Sequence, residues 1–134
     1  MEITWYGHSC FRLTERGLAS VVTDPFDHEV VGYKALKLKA NIITVSHDAP
    51  GHSFSSAVKG YSHLLNGPGE YEIGEVFITG ARTNGRKEED QSRNTLYVFD
   101  YNGITIAHLG DLRAVPTRSQ VDALGSVNVV LIPV

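Results

Sequence analysis

Short apolar runs separated by Gly, Asp, Asn and Pro constrain this chain more than any other feature. They fall at residues 2 to 7, 9 to 14, 19 to 23, 42 to 46, 75 to 79, 94 to 100, 103 to 109 and 127 to 133. Brief apolar stretches bounded by turn formers are the signature of strands, because a helix needs a longer stretch with a 3.6-residue period. The runs Thr95 to Asp100 and Ile104 to His108 flank Tyr101-Asn102-Gly103. Asn-Gly tolerates positive φ at both positions, so this pair predicts a hairpin.

Helix is sparse. Residues 53 to 59 have room for two turns, and Thr117 begins a Thr-x-x-Gln capping box leading into Val121, Ala123 and Leu124, with Gly125 as a left-handed stop. Residues 82 to 93 carry no apolar side chain and mix both charge signs, which predicts a solvated loop. The stretch Asn66 to Gly74 is rich in Gly around Pro68 and reads as a tight turn into a strand. The last run, Val127 to Val134, is almost wholly apolar, as a strand buried on both faces would be. An inner strand with no covering layer after it predicts an incomplete, amino-terminal portion of a fold. The expectation is one domain over 1–134, truncated or completed by a homo-oligomer or a partner chain.

A formal charge of -3, with Lys and Arg scattered, gives no basic stripe. Nucleic acid and membrane surfaces are therefore not expected partners. The single cysteine, Cys10, cannot form an internal disulfide and fits a reducing cytoplasm; beside Phe11 it reads as a small buried hydrophobe. No secretory leader is visible, and no apolar run nears the roughly 20 residues that span a bilayer.

Several polar residues sit where strands end, the positions a rigid sheet holds open to solvent. His47 and His52 follow the run Ile42 to Val45, Asp111 follows Gly110 beyond the run ending at Leu109, and Asp24 follows Val21-Val22-Thr23. Imidazole and carboxylate at converging strand ends suit a metal, although two surface histidines and a capping carboxylate would look the same. His8, after Gly7, is either a site residue or a turn residue bonded to backbone. His28 and His63 read as surface residues. A phosphate-binding Gly-Lys-Ser/Thr loop and a Gly-x-Ser-x-Gly elbow are both lacking.

Taken together, Trp5 to Phe11, Thr23-Asp24-Pro25, Ser46-His47-Asp48-Ala49-Pro50-Gly51-His52, Gly67 to Ile73 and His108-Leu109-Gly110-Asp111 resemble the metallo-β-lactamase superfamily. More narrowly, the chain is similar to the branch of Zn-dependent hydrolases related to ascorbate-6-phosphate lactonase. The resemblance implies an α/β fold, an αββα sandwich with a metal site at one edge. It also implies a His-x-His-x-Asp-His motif and a later bridging Asp that together activate water.

The motif is degenerate here. His47 and His52 match its first and third histidines, but Ala49 replaces the second and Gly51 replaces the Asp, and neither can donate to a metal. The expected metal ligands are His47, His52 and Asp111, with His8 and Asp24 supporting them at the rim. The expected cofactor is one zinc or other divalent ion, with a metal-free relic as the alternative. The function implied is a metal-dependent hydrolase acting on a small ester, lactone or phosphate-bearing molecule. The alternative is a non-catalytic member serving ligand binding or protein association. No residue is assigned a catalytic role beyond holding the metal.

Overall fold

The computed structural model describes residues 1–27, 29, 32, 37–47, 55–83, 94–110 and 118–132. Among these, the apolar runs build two five-stranded sheets. The first contains β1 (Glu2–Gly7), β2 (Cys10–Thr14), β3 (Val21–Thr23), β5 (Ile42–Thr44) and β7 (His63–Leu65), in the order β1-β2-β3-β5-β7. Strands β3, β5 and β7 run parallel to one another, and β1, β2 and β3 pair antiparallel. A short parallel pair, β4 (Leu38–Lys39) with β6 (Val58–Lys59), forms a third, separate sheet.

The second five-stranded sheet runs β12-β11-β10-β9-β8. It holds β8 (Gly69–Ile73), β9 (Val76–Thr83), β10 (Asn94–Tyr101), β11 (Ile104–His108) and β12 (Val129–Leu131). Its pairings are antiparallel except that of β11 with β12. Parallel neighbours need a crossover, and α1 (Arg118–Leu124) lies in it. Gly125 follows at φ 66, its amide bonding the Asp122 carbonyl, which is the left-handed stop expected there.

Side chains alternate along a strand, so each β residue chooses a layer. Val21 and Ile42 point between the two large sheets, where they join Leu13, Ile78, Tyr97, Phe99 and Ile106 in one buried cluster. Their neighbours Val22 and Ile43 point the other way and pack with Cys10, Phe26, Leu38 and Val58. The first sheet is thus buried on both faces, which is why its short central strands are unbroken apolar runs.

Asn102 and Gly103 both have positive φ, and Tyr101 pairs with Ile104, so the predicted hairpin is present. Three expectations need correction. Arg82 and Thr83, expected in the solvated loop, end β9 instead, because they pair with Thr95 and Asn94, and Thr83 is buried. Residues 53 to 59 do not make a two-turn helix: Ser55–Ala57 is a single 3-10 turn, and Val58 and Lys59 are strand; residues 53 and 54 lie outside the described residues. Nor is the final run buried on both faces. Leu131 reaches the core, but Val130 and Ile132 are 50% and 61% exposed, because β12 is an edge strand with only one face on the sandwich interior. Thr117 and residues 84 to 93 lie outside the described residues. Among the described residues no helix is long and apolar enough to cross a membrane.

Candidate functional site

One rim of the sandwich gathers loops from both sheets. The register pairs Thr23 with Thr44, so β3 and β5 end level, and Phe11 with Thr23, so the turn before β2 joins the same edge. From the opposite sheet, β11 delivers Leu109 and Gly110, and β10 begins here with Asn94. Hydrogen bonds stitch the two edges together. The Thr95 amide donates to the Ser46 carbonyl at 2.9 Å, and the Tyr97 hydroxyl lies 3.0 Å from the Val45 carbonyl and 3.1 Å from that of Leu65. His108 Nε2 lies 3.0 Å from the Ser9 carbonyl, and a carbonyl only accepts, so this nitrogen carries the proton. The His108 ring is fully buried, edge-on to Phe11 at 5.7 Å.

Asp24 is fully buried immediately beyond β3, at φ 41, a conformation that Asp tolerates better than most residues. Its Oδ1 accepts the Ser46 amide at 2.7 Å and its Oδ2 accepts Ser46 Oγ at 2.5 Å. Both oxygens therefore serve Ser46, the residue immediately before His47. Asp24 thus fixes the residue at which the chain leaves β5 toward His47.

His8 occupies the β1–β2 turn at φ 51, and its carbonyl accepts the Trp5 indole N–H at 3.0 Å. This turn lies at the rim, beside the start of β2. His63 is exposed at the start of β7, with Nδ1 2.9 Å from Ser62 Oγ, as a surface residue.

Gly110 carries the closest approach at the rim. At φ 66, a Cβ there would stand 2.3 Å from Ser46 Cβ and 2.6 Å from Asn94 Oδ1, so only glycine fits. Ser46 precedes His47 and Gly110 precedes Asp111. The structure thus brings together the points from which those two loops depart. His28, His52 and Asp111 themselves, with Ala49 and Gly51, lie outside the described residues.

Zinc takes nitrogen, oxygen and thiolate donors. Of the described side chains at this rim, His47 offers an imidazole. Burial, and then the nearby Asp24, push the pKa of Cys10 far above the ordinary thiol range, as for a small buried hydrophobe. Among the described residues no group of three His, Cys, Asp or Glu is placed to hold an ion. Among the described residues the rim therefore presents donor types that zinc accepts but no assembled ligand set.

Asn94, Thr95 and His108 hold this rim but do not stand out as site residues in the sequence. The one available signal was Asn94, a polar, strand-averse residue opening an otherwise apolar strand.

The family model of the beta-lactamase superfamily domain matches residues 2–134, and the chain belongs to that family. No curated protein matches the sequence. Among solved structures, the chain is similar to a candidate Zn-dependent hydrolase of the metallo-beta-lactamase superfamily from Thermotoga maritima. The identity is 36% and the TM-score 0.76, over 96% of this chain and 58% of that one. The chain thus spans less than two thirds of that protein, and the expected partial metallo-β-lactamase fold is the fold observed. A candidate metal-dependent hydrolase from Veillonella parvula shares the fold at 13% identity and TM-score 0.61, covering 96% of this chain and 71% of its own. The diiron beta-hydroxylase CmlA from Streptomyces venezuelae shares it at 11% identity and TM-score 0.65, with 96% and 33% covered.

Proposed function

We propose that this chain forms the metal-holding part of a hydrolase-like protein similar to the ascorbate-6-phosphate lactonase branch. His47, His52 and Asp111 would hold one zinc or other divalent ion, and the substrate would be a small ester, lactone or phosphate-bearing molecule. The observation that carries this reading is the contact of Gly110 with Ser46, which starts the loops of His47 and Asp111 side by side. The similarity to a candidate Zn-dependent hydrolase at 36% identity supports the same chemistry.

A bound divalent ion supplies Lewis acidity and lowers the pKa of water to about 7. The chain's own residues prepare the place. Asp24 fixes the amide and hydroxyl of Ser46, which sets where the His47 backbone leaves the sheet. The His47 imidazole offers a nitrogen lone pair. His8 stands on the neighbouring β1–β2 turn.

Elemental analysis of protein purified in zinc-containing buffer tests the reading. The expected result is about one zinc per chain, lost in His47→Ala and in Asp111→Ala. A metal-free parent overturns it, as does a His47→Ala variant that retains the ion. The sequence observation that Ala49 and Gly51 stand at two ligand positions of the motif favours a second, non-catalytic reading. It predicts that Ala49→His with Gly51→Asp takes up zinc where the parent does not.

A further inference from the structure

Asn94 is 1% exposed at the first position of β10, and the reading above gives it no part. Its Nδ2 donates to the Leu109 carbonyl at 2.8 Å and to Thr83 Oγ1 at 2.8 Å. Its Oδ1 stands against Gly110, where a Cβ would come within 2.6 Å. The next residue, Thr95, donates its amide to the Ser46 carbonyl at 2.9 Å. Two consecutive residues of one strand therefore grip the chain just ahead of Asp111 and just ahead of His47.

The chemistry of the grip is specific. The Leu109 carbonyl only accepts, so the group facing it must donate. A planar amide offers two N–H directions from one nitrogen, and here they reach the exit of β11 and the end of β9 together. Aspartate has the same shape but no N–H. Alanine leaves both acceptors without this donor.

We propose that Asn94 is a positioning residue that sets how Gly110 stands against Ser46, the residues just ahead of Asp111 and His47, and through them the affinity of the site for a divalent ion. The consequence for metal binding rests on the reading given under Proposed function. The consequence for loop placement does not. Partners that orient ligands typically change metal affinity by about 10–100-fold when lost.

The test compares Asn94→Ala and Asn94→Asp with Thr83→Val, which removes the other Nδ2 acceptor while keeping the branched shape of the side chain. Zinc affinity is read by competition with a chromophoric chelator, and amide hydrogen exchange is read on the metal-free proteins. Both Asn94 variants are expected to bind zinc at least about tenfold more weakly and to exchange the Ser46, Thr95 and Leu109 amides faster. Thr83→Val is expected to stay within about twofold of the parent affinity, whatever it loses in stability. Equal weakening in Asn94→Ala and Thr83→Val overturns the proposal, because Asn94 would then act only through general stability. Unchanged exchange at those three amides in a folded Asn94→Ala overturns it even if zinc binding falls. A parent that takes up no zinc refutes the functional reading, and the exchange measurement then decides the role of Asn94 alone.

Discussion

Ser46 gives both its amide, at 2.7 Å, and its hydroxyl, at 2.5 Å, to the carboxylate of Asp24, a residue 22 positions earlier in the chain. Two donors on one carboxylate fix Ser46 in both backbone and side chain. Hydrogen bonds to a charged group contribute about 1.5–3 kcal/mol each, and a buried donor left without a partner costs about 1–3 kcal/mol. Ser46→Ala removes one bond and is expected to lower unfolding stability by about 1.5–3 kcal/mol. Asp24→Ala leaves the Ser46 amide without this acceptor and is expected to cost more. Asp24→Asn, which tolerates the positive φ and keeps one acceptor oxygen, is expected to fall between the parent and Asp24→Ala. Urea denaturation of the three variants checks the order. Equal costs for Asp24→Asn and Asp24→Ala would show that this clamp contributes nothing beyond the negative charge.

Gly110 and Gly103 provide a matched pair for the close approach at the rim. Both have positive φ, but a Cβ at Gly103 would meet nothing within 4 Å, whereas at Gly110 it would press on Ser46 and Asn94. Left-handed backbone costs an L-residue about 1–2 kcal/mol. Overpacking adds about 1–3 kcal/mol. Gly103→Ala is therefore expected to lose only the first amount and Gly110→Ala the sum. Chemical denaturation reads both, and similar losses would remove the steric argument for the Ser46 contact.

Tyr97 crosses the core from β10 to the carbonyls that end β5 and β7 at the site rim. A hydroxyl has one proton, so at most one of Val45 and Leu65 is served by it at any instant. Tyr97→Phe keeps the ring and removes that proton, with an expected cost of about 0.5–1.5 kcal/mol. A larger loss would mean that both carbonyls depend on the hydroxyl more than a single shared bond allows.

The fold was legible where residues alternate or turn in ways with few solutions. Asn102-Gly103 marked one hairpin, and the apolar runs at 19 to 23 and 42 to 46 marked strands, though not that both faces would be covered. Strands β4, β6 and β7 were not legible, because two or three residues such as Leu38-Lys39 or His63-Leu64-Leu65 are too short to show a period. At the site, Asp24 was legible as a strand-end carboxylate, but its partner was not. The Asp24 to Ser46 bonds and the Asn94 grip join segments distant in sequence, and local pattern carries no information about which loop a side chain will meet. The exposure of Val130 was missed for a related reason. An apolar run reports what its residues prefer, and whether a second layer covers them is decided by other parts of the fold.

Alkaline pH should loosen the core in a defined window. Burial raises the pKa of the Cys10 thiol, with Asp24 adding to the effect, and burial likewise raises those of the Tyr97 and Tyr101 phenols. Tyr101 is held by the Ala19 carbonyl, which its hydroxyl reaches at 2.8 Å. In the unfolded chain the thiol ionises near its ordinary 9.0 and the phenols near 10.0. Because the folded values are raised, the stability linked to these groups is fully present below pH 9. It falls as the unfolded state sheds protons that the folded state keeps. Each group contributes a slope of up to about 1.4 kcal/mol per pH unit, so a loss of up to roughly 3–4 kcal/mol is expected by about pH 10.5. Cys10→Ala should flatten the curve between about pH 9 and 10 while leaving the steeper fall above it, and Tyr101→Phe should reduce the latter. Denaturant midpoints measured every half unit of pH provide the check. A parent curve that stays flat to pH 10.5 would mean that these three groups titrate alike in the folded and unfolded states, and would overturn the expectation drawn from their burial.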